Sequence, residues 1–281
     1  MIQKPQVIFL GNGPLAQYAL PILAKKAEII FHARNKADLM KVVDLKKQHP
    51  EAFAVLVSFG VMIPESLLQE FESEGILNLH PSLLPKYRGA SPIESAIMAG
   101  DTKFGYSIMK LVRKMDAGPI YHQESFANLP LEKELIYRKL AEAGAGWIVE
   151  HLGEIRQLTV SVQNDDMATY TDKFVKASDS ELKPADFPAW QIYRQIIAFQ
   201  GFPKPKCQIF GKQCIILGAE LKDSDTENIL ANAVEAEKQV YHTKGQIFLF
   251  CKDGRTVEIL RLQPEGKRAM DAASFINGYK R

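Results

Sequence analysis

The feature that most constrains this chain is the run QVIFLGNGPLAQYALPILAKK, residues 6 to 26. A short apolar, β-prone stretch ends at Gly11 and Gly13, and an amphipathic segment with helical spacing follows. Such a run reads as a buried strand, a sharp glycine turn and a helix. The pattern then repeats. AEIIFHA, AFAVLVSFG and GILNLH read as further strands, with KADLMKVVDLKKQ and PESLLQEF as the helices between them. Strands alternating with helices predict an α/β fold, a Rossmann-like, doubly wound and mostly parallel sheet with helices on both faces. SPIESAIMAG reads as another helix. FGYSIMKLV and GPIYHQESFA are apolar runs around a turn at RKMDAG, and LEKELIYRKLAEAGAGWIVEHLGEI reads as a long helix.

The texture changes after residue 176. KASDSELKPADFP is polar and proline-containing, as a linker is. The helix AWQIYRQIIAF follows, then short apolar runs with period-two alternation and turn signals at FGK and KDGR. These predict a small C-terminal β-barrel or sandwich. The expected organisation is a domain over 1–176, a linker over 177–190 and a second domain over 191–281. KDSDTENILANAVEAEKQ, acidic and polar, reads as a surface excursion.

Bulk numbers exclude several classes. The 281 residues are 46% hydrophobic and 24% charged, the composition of a folded globular protein rather than a disordered one. A formal charge of +2 permits an anionic partner without demanding one. Cys207, Cys214 and Cys251 show no CxxC pairing and no nearby histidine ladder, so neither a metal nor a disulfide framework is expected. No apolar run approaches the roughly 20 residues of a membrane helix. The first apolar run starts at Val7, which leaves no room for a signal peptide. A cytoplasmic protein is expected, a monomer with no protein partner implied and no membrane association.

GNGPLA, residues 11 to 16, fits the glycine turn of a dinucleotide site. That site needs a carboxylate at the end of the second strand to meet a ribose, and here the sequence offers FHARN, with His32 and Arg34. Nucleotide redox binding is therefore disfavoured, although Arg34 keeps a phosphorylated nucleotide conceivable.

A different stretch, NLHPSLLPKYRG at residues 78 to 89, carries the chemistry. Strand alternation puts Asn78 and His80 on one face at a strand's C-terminal end, where open α/β sheets bind ligands. Pro81 ends the strand and Pro85 stiffens the loop. The apolar pair Leu83 and Leu84 is awkward in a plain solvent loop and makes sense as a pocket wall. Asp116, in RKMDAGPI, sits in a loop from which a carboxylate reaches back to a neighbouring strand end. Taken singly, a strand-end histidine and a turn aspartate are ordinary. Together, an amide donor, an imidazole and a carboxylate are what direct acyl transfer to an amine needs. No serine or cysteine stands beside them as a nucleophile, so no covalent enzyme intermediate is expected.

These residues carry a resemblance. NLHPSLLPKYRGASPIESAIMAGD followed by GYSIMKLVRKMDAGPI resembles the folate-dependent formyltransferases, with their Asn-x-His strand end, Ser-Leu-Leu-Pro loop, aromatic-Arg-Gly step and later Asp-x-Gly. The resemblance implies that Asn78, His80 and Asp116 are catalytic. It implies a site for 10-formyltetrahydrofolate, the formyl donor, bordered by Ser82, Leu83, Leu84 and Pro85 with Phe59 and Gly60. TYTDKF, IIAFQGFPKPKCQIFGKQCIILGAEL and the closing EILRLQPEGKRAMDAASFINGYK are similar to members that formylate the α-amine of initiator Met-tRNA(fMet). The implied C-terminal domain is an OB-like barrel that binds tRNA.

The chain departs from the family between its second and third strands, where a basic loop is expected and the stretch is short. Arg34, Lys36, Lys41, Lys46 and Lys47 stand for part of that charge. Arg88 joins Arg34 and Lys36 as a candidate tRNA contact. In the second domain Lys204, Lys206, Lys212, Lys244, Lys252, Arg255, Arg261, Lys267 and Arg268 are available for phosphates, with Lys204, Lys206, Lys267 and Arg268 the foremost candidates. Two alternatives stay open: a formyltransferase acting on an amino sugar nucleotide or other small amine, and a non-catalytic RNA-binding protein with a degenerate transferase fold.

Overall fold

A computed structural model describes residues 4–129, 131–172, 180–222, 229 and 231–279. The described residues form two compact units. One comprises those up to Asp172 except Ile97–Gly100, and the other comprises Ile97–Gly100 with the residues from 180 onward. The expected boundary at 176 and the first part of the linker lie outside the described residues, as does most of the acidic stretch after Lys222.

In the first unit the strands are β1 (Gln6–Gly11), β2 (Glu28–Ala33), β3 (Phe53–Val57), β4 (Ile76–His80), β5 (Lys103–Lys110) and β6 (Ile120–Ala127). The helices are α1 (Pro14–Lys26), α2 (Leu39–Gln48), α3 (Glu65–Glu70), α4 (Pro92–Ala99, whose last residues from Ile97 group with the second unit) and α5 (Lys133–His151). The sheet order is β2-β1-β3-β4-β5-β6. β1 to β4 are mutually parallel, and β5 and β6 add an antiparallel hairpin. The expected Rossmann-like sheet is thus present and mostly parallel. The turn at RKMDAG closes the hairpin, which needs no crossover helix.

Burial explains the local choices. β4 is buried along its whole length, and a strand covered on both faces has no solvent side. At the start of the fold Gly11 is required by crowding, because a Cβ there would strike Phe9, the Val57 carbonyl and Ala16. α2 is preceded by a 3₁₀ turn over Lys36–Asp38, capped by the Asn35 side chain with Asp38 returning to the Asn35 backbone. His32 in β2 bonds the Gly11 carbonyl at 2.8 Å and meets the Phe9 ring edge-on.

The second unit contains α6 (Ala189–Ala198), β7 (Lys206–Ile209), β8 (Lys212–Lys222), β9 (Val234–Glu237), β10 (Val240–His242), β11 (Ile247–Phe250), β12 (Thr256–Pro264), β13 (Met270–Asp271) and α7 (Ala272–Tyr279). Its strands pair antiparallel in the order β7-β8-β12-β11-β10-β9, with β13 on β12. Register shifts around Arg261 bend β12, the device by which a sheet curls. Among the described residues no hydrogen-bonded pair joins β7 to β9, so the barrel-like domain is a curled, open sheet. Ile192, Ile196, Ile216, Leu249, Ile259 and Phe275 fill its core. All three cysteines are buried there, and burial pushes the Cys214 thiol up to about 11 and the Cys251 thiol up to about 12.

Candidate active site

β4 delivers two polar side chains to the C-terminal edge of the parallel strands. Asn78 and His80 are each 5% exposed, so each must find partners inside the protein. Leu79, between them, packs where a Cβ on Gly144 of α5 would collide with it. The long helix is therefore pressed against the strand that carries the two residues.

Asp116 arrives from the β5–β6 turn with a left-handed backbone, φ 48°. Its Oδ2 accepts the Gly89 N–H at 2.8 Å, and its Oδ1 accepts a long bond of 3.4 Å from Asn78 Nδ2. His80 Nδ1 lies 3.7 Å from Asp116 Oδ2, an ion-pair distance rather than a hydrogen bond. His80 Nε2 is 3.0 Å from the Tyr87 carbonyl oxygen. A carbonyl only accepts, so Nε2 carries a hydrogen. Nδ1 then faces Asp116 as a lone pair in the neutral ring and as a second N–H in the imidazolium.

The three side chains open into a cleft of about 530 Å³. Its walls include Phe59, Val61, Ile63, Ile93, Leu111 and Val112, with Ser58 and Gly60 at the end of β3. Both Ser58 and Gly60 have positive φ, 47° and 69°, which folds the chain back over the strand ends. An apolar slot with a few convergent polar groups is the form of a small-molecule site.

Sequence reasoning missed another part of that wall. Tyr137 of α5 lines the cleft, and its hydroxyl donates to Glu94 Oε1 at 3.0 Å. Lys133 Nζ lies 3.1 Å from the same oxygen. Burial, with Glu94 adding to it, drives the Tyr137 hydroxyl far above its ordinary value, and burial pulls Lys133 down against Glu94. The available signal was a lysine and a tyrosine four residues apart on a helix stripe otherwise filled by Ile136 and Leu140.

The remaining expected site residues scatter. Phe59 and Gly60 share the cleft with the three polar groups, whereas Ser82, Leu83, Leu84 and Pro85 do not line it. Leu83 and Ser82 instead edge a separate hollow of about 210 Å³ with Tyr87, Lys103 and Phe104. Leu84 is core, packed with Met109 and Ile120. This loop is pinned from below: Ser107 Oγ donates to the Ser82 carbonyl at 2.6 Å, and Gln123 Nε2 to the Leu84 carbonyl at 2.8 Å. The apolar pair is thus explained by packing and by the small hollow.

Arg88 is fully buried and engaged by Gln163 and Asp165, so it offers no free guanidinium to a phosphate. Burial opposes its charge, but hydrogen bonds to Asp165 and Tyr170 outweigh that and hold its pKa up. Lys46 is also turned inward, bonded to Glu74 and to the carbonyls of Pro50 and Ala52. Arg34, Lys36, Lys204, Lys267 and Arg268 are exposed, and Lys206 is half-buried.

An α/β sheet that brings an amide, an imidazole and a carboxylate to one apolar cleft has the make-up of a small-molecule site with groups able to donate hydrogen bonds and accept protons. The comparisons with known proteins sharpen that class. Residues 3–152 match the family described as Formyl transferase, and residues 175–280 match Formyl transferase, C-terminal domain. The chain belongs to the formyl transferase family. It is 37% identical over 228 residues to a methionyl-tRNA formyltransferase of Jannaschia sp. (strain CCS1), covering 80% of this chain and 70% of that protein. The fold is similar to that of methionyl-tRNA formyltransferase from Clostridium thermocellum, with a TM-score of 0.63, 19% identity and coverage of 79% of this chain and 95% of that one. It is also similar to HypX from Aquifex aeolicus in complex with tetrahydrofolic acid, with a TM-score of 0.73 and 15% identity; 98% of this chain is covered, which is about half the length of that protein, 47%.

Proposed function

We propose that this chain transfers a formyl group from 10-formyltetrahydrofolate to the α-amine of initiator Met-tRNA(fMet). The observation that carries the reading is the convergence of Asn78, His80 and Asp116 on one apolar cleft. The relatives named as methionyl-tRNA formyltransferases and the family match over both parts of the chain support it.

The cleft fits a folate-type donor in its chemistry: Phe59, Val61 and Leu111 offer apolar walls to a flat ring, and Asn78, His80 and Asp116 supply polar groups beside them. The donor supplies an activated formyl carbon bonded to nitrogen. In the proposed reaction the acceptor amine attacks that carbon, the bond to the donor nitrogen breaks, and one proton passes from the amine to the departing nitrogen. Asn78 has a second amide hydrogen to donate to the carbonyl oxygen as negative charge develops there. Asp116, held by the Gly89 N–H and Asn78, is the base assigned to the amine proton, and the His80 imidazole 3.7 Å away is assigned to relay it. No nucleophile of the protein enters the sequence of steps.

We assign the first unit to catalysis and the second, which takes in the expected linker from residue 180 onward, to tRNA binding through Lys204, Lys206, Lys267 and Arg268, with Arg34 and Lys36 as contacts of the first domain. The test is an acceptor assay. Purified protein given 10-formyltetrahydrofolate is expected to formylate Met-tRNA and leave an amino sugar nucleotide unmodified. Formylation of the sugar amine with none on Met-tRNA would replace this substrate with the alternative one, and no transfer to either would reject the enzymatic reading.

A further inference from the structure

We infer that Gln163 is a positioning residue for the Asn78, His80 and Asp116 cluster, a four-way clamp between the two loops that hold it. The inference rests on the catalytic role proposed for those three side chains.

Gln163 belongs to an extended strap after α5 that is anchored by bridges from Ser161 to Ile120 and from Tyr170 to Arg88. Its neighbours Val162 and Asn164 are exposed, while Gln163 is half-buried and turned inward. Its Nε2 donates to the Asp116 carbonyl at 2.8 Å and to the Gly118 carbonyl at 2.7 Å. Its Oε1 accepts from Arg88 Nε at 3.1 Å and from Arg88 Nη2 at 2.7 Å. Two donors and two lone pairs are all that a side-chain amide has. All four are used, and the pattern admits only one orientation of the amide.

What these bonds restrain is the site itself. Asp116 adopts φ 48°, a left-handed conformation that aspartate tolerates better than most residues with a Cβ and that is held here by bonds on both its carboxylate and its carbonyl. Gln163 grips that residue's own carbonyl and the carbonyl two positions on. At its other end it grips Arg88, which is fully buried. The residues flanking Arg88 are the ones that orient the cluster. The Tyr87 carbonyl accepts from His80, and the Gly89 N–H donates to the Asp116 carboxylate. The strap reinforces this grip through Thr169, whose carbonyl accepts the Arg88 N–H at 2.8 Å and whose hydroxyl accepts the Tyr87 N–H at 2.9 Å. One amide therefore ties the backbone that bears the carboxylate to the buried side chain of Arg88, the residue whose two neighbours aim the imidazole and the carboxylate. Gln163 does not line the cleft, so it acts through these neighbours.

Gln163→Glu breaks one end of the clamp and spares the other. It keeps an acceptor for Arg88 and removes the N–H donors, setting an oxygen against the Asp116 and Gly118 carbonyls. Formyl transfer from 10-formyltetrahydrofolate to Met-tRNA is measured for the full-length protein and for Gln163→Glu, Gln163→Ala, Asp116→Asn and the Gln163→Ala/Asp116→Asn double variant. Both Gln163 variants are expected to lose about 10- to 100-fold in kcat, the scale of a displaced reacting group, with the donor KM changed about twofold at most. The double variant is expected to be no slower than Asp116→Asn, because a residue acting through Asp116 has nothing left to act on. Wild-type turnover by Gln163→Glu, or losses that multiply in the double variant, overturns the inference. Should Gln163→Ala fail to fold, Gln163→Glu carries the decision. Wild-type turnover by Asp116→Asn would instead sink the cluster on which the inference stands.

Discussion

In the first unit Asn78 and His80 are buried and Tyr137 is half-buried, and each has a named partner: Asn78 with Asp116, His80 with the Tyr87 carbonyl, Tyr137 with Glu94. In the second unit Lys212 on a strand and Lys204, Lys267 and Arg268 in the connecting segments stand in solvent around a sheet whose interior is apolar. Burial makes the first set a problem of geometry, since a buried polar group that loses its partner keeps the full cost of lost hydration. Exposure makes the second set a problem of field, in which no single lysine has an obligatory position and salt screens all of them. The two sets should therefore fail differently when altered.

The largest expected effect lies in the first unit. His80→Ala should lower turnover by about 10²–10⁴-fold, the usual contribution of a general acid–base group, with donor binding largely kept. Steady-state kinetics with Met-tRNA checks this, and near-normal turnover removes His80 from the mechanism. In the second unit Lys267→Glu with Arg268→Glu should weaken tRNA binding and leave kcat at saturating tRNA unchanged. The plot of log affinity against log salt should flatten by about 0.7 to 0.9 for each phosphate the protein no longer neutralises. If only the melting temperature moves, these residues are structural and the contrast between the units is wrong.

A smaller effect concerns acid stability of the first unit. Glu74 is buried beside Lys46, and although burial opposes its charge, hydrogen bonds from Lys46 and Ser73 hold its carboxyl below the ordinary value of 4.5. The folded state thus binds fewer protons than the unfolded state in that range. The stability Glu74 contributes is present in full above about 4.5 and is lost as pH falls through the lower, folded value. Melting curves should show this decline, and Glu74→Gln should remove its share of it at the cost of lower stability at neutral pH. An unchanged acid slope in that variant would assign the decline to other carboxylates.

How much of this was legible in the sequence follows the same divide between period and geometry. β1, β3 and β4 announced themselves because strands buried on both faces read as short apolar runs. Asn78 and His80 were legible because alternation alone puts residues two apart on one side. Asp116 could be named from its turn, but its left-handed backbone and its bond to Gly89 could not. Leu83 and Leu84 were ambiguous, because an apolar pair in a loop has the same signature whether it edges a hollow, as Leu83 does, or packs into the protein, as Leu84 does on Met109 and Ile120. Arg88 misled for the converse reason: charge is visible in a sequence, while burial in an irregular loop is not. Gln163 had no signal at all, since SVQNDDMATYTDKF carries no period and any of its polar residues could have faced inward.

The most direct measurement is the single-turnover rate of formyl transfer from 10-formyltetrahydrofolate to Met-tRNA by Asp116→Asn, with donor and tRNA both saturating. A catalytic Asp116 predicts a rate at least about 10²-fold below that of the unaltered protein, with both substrates still bound. A rate within a few-fold of the unaltered protein would contradict it.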